Sequence, residues 1–442
     1  MNAFAQYVEQ AVTALETSPP RVKGKVTRIV GMTIEARGMR APIGALCEIK
    51  NQTGDKLVAE VVGFHRDTLY LMPVTDIHGI EPGASIQRTG FAERIPVGPE
   101  LLGRVTDALG HPLDDAPKVE CTHTLPARGI SIPALKRAPI DTILDTGIRA
   151  INGCFTVGKG QRIGLIAGSG VGKSMLLGML TRNTQADVVV IGLIGERGRE
   201  AQEFVSEILG PEGLSRSIVV IAPANSSPVM RRKAAERVHA IAEYFRDQGQ
   251  DVLLLCDSLT RVAHAQREIG LAVGEPPTTK GYPPSVFSLL PHLIERAGNG
   301  RVGSGSITAF YTVLAEGDDR SDPIVDIVRA SLDGQLMLSR ELADAAHYPA
   351  IDPLGSLSRL MHQLVPDGQR HSAAKLRALW AQYQQSKDLI DIGAYQRGSN
   401  TELDAAIELM PEIARYLQQD YLDTIDYEDA SEALERLLDD IT

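Results

Sequence analysis

Ile163-Gly-Leu-Ile-Ala-Gly-Ser-Gly-Val-Gly-Lys-Ser174 decides how the rest of the chain is read. Its first four residues are mostly apolar and predict a short buried strand. Gly168, Ser169, Gly170, Val171 and Gly172 follow as a loop. Lys173 and Ser174 then open a run with Met175, Leu176, Leu177, Met179 and Leu180 that suits a packed helix. A strand–loop–helix turn of this kind aims several backbone N–H groups and a helix N-terminus at one point, which favours a polyphosphate. Lys173 can reach the β- and γ-phosphates, and the Ser174 hydroxyl can ligate Mg²⁺. The pattern G-x-x-x-x-G-K-[ST] is met inexactly, because Ala167 holds its first position. Three glycines still supply the backbone freedom. The competing reading is a glycine-rich turn with a chance Lys-Ser, and the flanking patterns favour the phosphate loop. The stretch therefore predicts nucleoside triphosphate binding.

Downstream, the apolar, β-branched runs Asp187–Ile194, Ser217–Ile221, Val252–Cys256 and Ser306–Thr312 alternate with helical patterns. One of these, Arg231–Asp247, carries Ala234, Val238, Ile241 and Phe245 at helical spacing. Such alternation implies a mostly parallel sheet covered by helices on both faces. Asp257 ends the run Val252–Cys256, at the sheet rim where the phosphate loop opens, and is the expected second anchor of the metal. The alternative for Asp257 is a helix-capping acid. Glu196 follows its strand directly and emerges at the same edge, so it is the expected water-orienting group. The alternative for Glu196 is a salt-bridged loop with Arg197 or Arg199.

Upstream, Ala3–Thr17 places Phe4, Val8, Val12 and Leu15 on one face of an amphipathic helix that Ser18, Pro19 and Pro20 end. Such a stripe either packs on its own protein or docks a partner. Short strand-like runs follow at Lys25–Val30, Thr33–Ala36, Ala45–Ile49, Leu57–Phe64 and Thr68–Met72, which predict a small β-barrel. After Arg359 the chain turns helical and acidic, through Leu376–Ile390, Thr401–Asp420 and Asp429–Asp439. The expected domains are a helix over 1–20, a β-barrel over 21–94, an ATPase domain over 95–360 and a helical domain over 361–442.

The chain has 442 residues, 43% of them hydrophobic and 23% charged, which fits a globular protein of two or three domains. Its formal net charge of -11 argues against nucleic acid as a partner held by a broad basic face. No run approaches a membrane span, and the N-terminus lacks a signal-peptide pattern. Four scattered cysteines without C-x-x-C spacing indicate neither a disulfide framework nor a zinc site, so a cytoplasmic location is expected.

Four further segments, Gly195–Glu200, Asp257–Arg261, Gly274–Ser285 and Pro349–Arg359, resemble the rotary-type ATPase family that includes the subunits of F-type ATP synthase. The last fits P-[SAP]-[LIV]-[DNH]-x-x-x-S-x-S at every position. Within that family, Gly-Glu-Arg-Gly-Arg-Glu, Ala-Gln-Arg-Glu-Ile-Gly and Lys-Gly-Tyr-Pro-Pro-Ser-Val-Phe are similar to the ATPases of type III protein export. The barrel segment Val62-Gly-Phe to Leu71-Met-Pro73 leans toward the flagellar branch. The resemblance implies an α/β fold: an N-terminal β-barrel, a central P-loop domain like those of RecA and F1, and a C-terminal helical domain.

It implies ATP and Mg²⁺ as cofactors, with Lys173 and Ser174 on phosphate and metal, and Glu196 on the attacking water. Arg197 and Arg261 would lie near the γ-phosphate and Tyr348 would stack on adenine. Tyr421 is a candidate second aromatic there. Arg359 would act across a subunit interface, in a homohexameric ring peripheral to the membrane. Expected partners are a regulatory, stator-like protein at the N-terminal helix, a central stalk-like protein, the export gate and chaperone–cargo complexes. In place of the acidic rotor-touching stretch of the synthase catalytic subunit stands Asp391–Gly398, which favours export of flagellar proteins over proton-driven synthesis. The alternatives are an injectisome ATPase, a rotary synthase subunit and a hexameric RNA helicase. The helicase is disfavoured by the few aromatics in the first 90 or so residues.

Overall fold

The computed structural model describes residues 22–50, 54, 56–74, 77–91, 94–314 and 322–439. The helix expected over Ala3–Thr17 lies outside the described residues. The rest forms two compact units. One holds the barrel; the other holds Arg94–Leu271 and the chain from Glu275 onward.

In the first unit six antiparallel strands close on themselves. Their order around the barrel is Lys23–Val30, Thr33–Arg37, Thr68–Pro73, Lys56–His65, Ala45–Lys50 and Ser85–Phe91. Alternation turns Ile34, Ala36, Cys47, Ile49, Val61 and Leu71 into the interior. Ser85–Phe91 was not among the expected strands. Among its described side chains only Ile86 enters the core, and its extension is imposed by ladders to both Lys23–Val30 and Ala45–Lys50.

In the second unit the main sheet runs Leu357–Ser358, Gly334–Met337, Arg162–Ala167, Ser306–Leu314, Asp251–Asp257, Val188–Ile194, Ser217–Ala222, Val105–Asp107. Every ladder along this path is parallel except that of the Leu357–Ser358 edge. Successive side chains of one strand enter opposite layers. Val188, Val190 and Ile194 face one core, and Val189, Ile191 and Leu193 the other.

The first layer is covered by the helix Pro228–Asp247, which starts where Ser227 accepts a hydrogen bond from the Met230 amide and Pro228 pre-sets the backbone. It buries the expected Ala234, Val238, Ile241 and Phe245. Beneath it Arg296 donates to both oxygens of Glu243, at 2.8 and 3.0 Å, in a fully buried pair. The second layer holds the helix Lys173–Asn183 together with Leu376, Trp380, Ile413 and Leu434 of the C-terminal helices Asp367–Asp391, Thr401–Leu417 and Tyr427–Asp439. These helices thus share a core with the sheet and belong to the same compact unit.

Candidate active site

The strand Arg162–Ala167 ends buried at Ala167, and the loop that follows enters the helix at Lys173. Gly170 (φ 76°) and Gly172 (φ 85°) take the left-handed conformation that a side chain disfavours. Val171 anchors the loop in the core. No side chain caps the helix, so its first-turn amides stand at the cleft without a side-chain acceptor. Ser174 is exposed beside them.

Strand order brings the remaining groups to this loop. Leu193 pairs with Asp257, and Cys256 with Tyr311, so the carboxyl ends of three neighbouring strands meet at one rim. The Lys173 Nζ donates to Glu196 Oε1 and to Asp257 Oδ1, both at 2.7 Å. Thr312 Oγ1, from the adjoining strand, donates to the same Asp257 oxygen at 2.5 Å. Thr312 is a site residue the sequence reading missed; its only signal was a hydroxyl at the end of a buried strand next to the one ending in Asp257.

Burial opposes charge on Lys173, yet the two carboxylates outweigh it and hold the ammonium above its ordinary pKa. Burial would raise Glu196, and the Lys173 ammonium overrides it, keeping this carboxylate below the usual range. Asp257 is more deeply buried. There desolvation prevails over Lys173, and its pKa is raised.

The surrounding cleft has a volume of about 1470 Å³ and is lined by the loop, Glu196, Arg197, Arg261, Tyr348 and Tyr421. Arg197 extends into solvent, with one 3.6 Å contact to Glu200. Arg261 packs on Gly195, whose φ of 77° and lack of a side chain let the arginine stem approach; a Cβ there would lie 2.6 Å from it. The Tyr348 ring covers Gly172 from 3.1 Å, measured to a Cβ built there. Tyr421 stands half-exposed, with the Arg182 guanidinium 5.9 Å from its ring centre. Arg149, Arg340, Gln418 and Gln419 also line the cleft and carried no sequence signal. Arg359 does not line it. This arginine is exposed at the sheet edge, where its backbone N–H donates to Asp333.

The donor set fits Mg²⁺. A serine hydroxyl and one carboxylate are hard oxygen ligands, the kind of partial set that substrate phosphates and water complete. Among the described residues no group of three His, Cys, Asp or Glu could hold an ion unaided.

A left-handed glycine loop, a lysine and two carboxylates at the carboxyl rim of a parallel sheet define the class: a P-loop ATPase of the α/β kind. The ATP synthase alpha/beta family matches twice, its beta-barrel domain over residues 26–90 and its nucleotide-binding domain over 147–358. The T3SS EscN ATPase C-terminal domain matches 365–436. The flagellum-specific ATP synthase of Pseudomonas aeruginosa is 53% identical over 95% of this chain and 94% of its own. The type 3 secretion system ATPase of Xanthomonas euvesicatoria is 49% identical, over 94% of each. The assembled ATPase EscN of the enteropathogenic E. coli type III secretion system superposes with a TM-score of 0.89 at 43% identity, covering 94% of this chain and 99% of that one. Its structure in complex with the central stalk EscO gives 0.85 at 42%, with the same coverage. The chain belongs to the family of flagellum-specific ATP synthases and type III secretion ATPases, within the ATP synthase alpha/beta family.

Proposed function

We propose that this chain hydrolyses ATP in a ring of six identical subunits and that turnover drives export of flagellar proteins. The observation that carries this reading is the Lys173 ammonium, held between Glu196 and Asp257 at the mouth of the loop. A γ-phosphate entering the cradle competes for that ammonium and releases the carboxylates for other work. Glu196, ionised and on the rim, then accepts a hydrogen bond from the attacking water and orients it. Arg197 and Arg261 face the same cleft and offset charge on the transferring group. Ser174 and Asp257 would hold Mg²⁺, which when bound neutralises phosphate charge. Tyr348 and Tyr421 would flank the base.

Arg359, exposed and away from its own cleft, is placed to serve the site of a neighbouring subunit. EscN has been described as assembled and with a central stalk, which supports a ring here and a stalk-like partner. Among the described residues no helix is long and apolar enough to cross a membrane. The ring would sit peripherally at the cytoplasmic face of an export gate that receives chaperone–cargo complexes. The 1–20 segment would dock the stator-like regulator. The flagellar branch is favoured over an injectisome by the higher identity to the Pseudomonas protein.

Two substitutions test the site by different routes. Lys173→Ala removes the cradle's charge and should weaken ATP binding. Glu196→Gln is nearly isosteric, so ATP should still bind while turnover falls about 10²–10⁴-fold. Steady-state turnover and nucleotide titration separate the two, and substantial turnover in Glu196→Gln would remove its assigned role.

A further inference from the structure

Gln419 lies just beyond the helix Thr401–Leu417, 8% exposed, and every hydrogen-bonding group of its side chain is used. Its amide oxygen accepts from the Arg149 backbone N–H at 2.8 Å. Its Nε2 donates to the Gly147 carbonyl and to the Asp423 carbonyl, both at 2.9 Å. Its backbone N–H donates to the Tyr348 carbonyl at 3.0 Å. One residue therefore grips three separate parts of the chain: the start of the helix Arg149–Cys154, the segment carrying Tyr348, and the turn carrying Tyr421.

The geometry of that grip bears on the gap between the two aromatic rings. Tyr421 sits inside the 419–423 turn that the Gln419 Nε2 bond to Asp423 closes. Tyr348 is tied to the first residue of the same turn through its carbonyl. Arg149 reinforces the arrangement from beneath, its guanidinium donating to the carbonyls of Tyr416 at 2.6 Å, Arg415 at 3.0 Å and Gln418. Each ring is nearly half exposed and touches little: Tyr348 rests on Gly172 and donates its hydroxyl to the Ala343 carbonyl at 3.3 Å, and Tyr421 faces the Arg182 guanidinium. The position of each ring then follows the backbone beneath it, and Gln419 joins those two backbones.

We propose that Gln419 is a positioning residue that sets the spacing of Tyr348 and Tyr421 and thereby the affinity for the nucleotide base. The proposal rests on the reading of the cleft as an ATP site with its base between these tyrosines. The Gln419 side chain holds the Tyr421 turn and the start of the helix Arg149–Cys154. Its backbone bond to Tyr348, the residue that packs on the phosphate loop, survives substitution, so loss of the side chain should show only with ligands that carry a base.

The test compares ATP with inorganic tripolyphosphate, in the full-length protein with Mg²⁺ present. Gln419→Leu removes all three side-chain bonds. Gln419→Glu keeps the size and the acceptor but turns a carboxylate on two carbonyls. Base stacking contributes enough that either variant should raise the KM for ATP by about tenfold, with kcat within about twofold and the inhibition constant of tripolyphosphate unchanged. If Gln419→Leu does not fold, Gln419→Glu carries the test alone. Equal weakening of both ligands, or no change in either, in a folded variant overturns the proposal. Tyr348→Ala separates the two levels. A base-dependent loss there with none at Gln419 overturns only the role of Gln419, whereas none at either position removes the base-wall reading and the proposal with it.

Discussion

An ammonium held at 2.7 Å by each of two carboxylates keeps its proton across the neutral range, so the cleft presents a cation before any phosphate arrives. The two carboxylates differ in what burial does to them. Glu196 is held below its usual range by the Lys173 ammonium, which suits the water-orienting role proposed for it. Asp257, pinned by Thr312 and buried, needs a cation beside it to carry charge.

A second buried group gives a prediction about pH. His239 is enclosed by the sheet, with Nδ1 on the Ala235 carbonyl at 2.7 Å and Nε2 on the Tyr311 hydroxyl at 2.9 Å. Burial, helped by the Arg296 charge, pushes its pKa from the ordinary 6.5 down to about 3. Between those values the unfolded chain binds the proton that the folded chain refuses. The stabilisation is complete above pH 6.5 and is lost progressively as pH falls toward 3. At pH 5 the loss amounts to about 2 kcal/mol. Urea midpoints measured from pH 8 to pH 4 should fall on the acid side, and His239→Gln should flatten that slope. An identical slope in the variant would assign the acid sensitivity elsewhere.

At the scale of elements, the phosphate loop is shaped by two glycines whose surroundings differ. Gly170 and Gly172 both lie at positive φ, where a side chain costs about 1–2 kcal/mol. A Cβ at Gly170 meets nothing within 4 Å, while one at Gly172 meets the Tyr348 ring at 3.1 Å. Gly170→Ala should therefore show backbone strain alone. Gly172→Ala should lower the melting temperature further, because it also displaces the tyrosine ring from the loop. Equal melting temperatures for the two variants would mean that the Tyr348 contact contributes little.

For the whole molecule the decisive feature is that Arg359 is separated from the cleft of its own chain. If a neighbour completes each site, specific activity should fall on dilution below the concentration where the ring holds. Arg359→Ala should lower turnover at every concentration while ATP still binds. Mixing is the sharper measurement. Arg359→Ala chains combined with Lys173→Ala chains should recover activity above either alone, since a mixed interface can pair an intact cradle with an intact arginine. No recovery in rings shown to be mixed, together with turnover independent of concentration, would mean that each chain works alone.

The sequence by itself determined what neighbouring residues along the chain control. The loop Gly168–Gly172 is local chemistry, legible because positive-φ glycines, a following lysine and a helical run lie within a dozen residues. The apolar, β-branched runs of the central strands and the 3.6-residue face within Arg231–Asp247 were legible for the same reason, since each pattern is written in consecutive side chains. Asp257 and Glu196 could be placed at strand ends, and the strand order then decided that both meet one Nζ. Tertiary structure alone decided the rest. Ser85–Phe91 became a strand because two partners flank it, Thr312 reached Asp257 because Ser306–Leu314 inserted beside its strand, and Gln419 came to hold Arg149 and Tyr348 from far along the chain. These outcomes depend on which hydrophobic faces bury against one another, a non-local choice made by the whole chain, and short polar residues at such junctions carry no periodicity that would announce them.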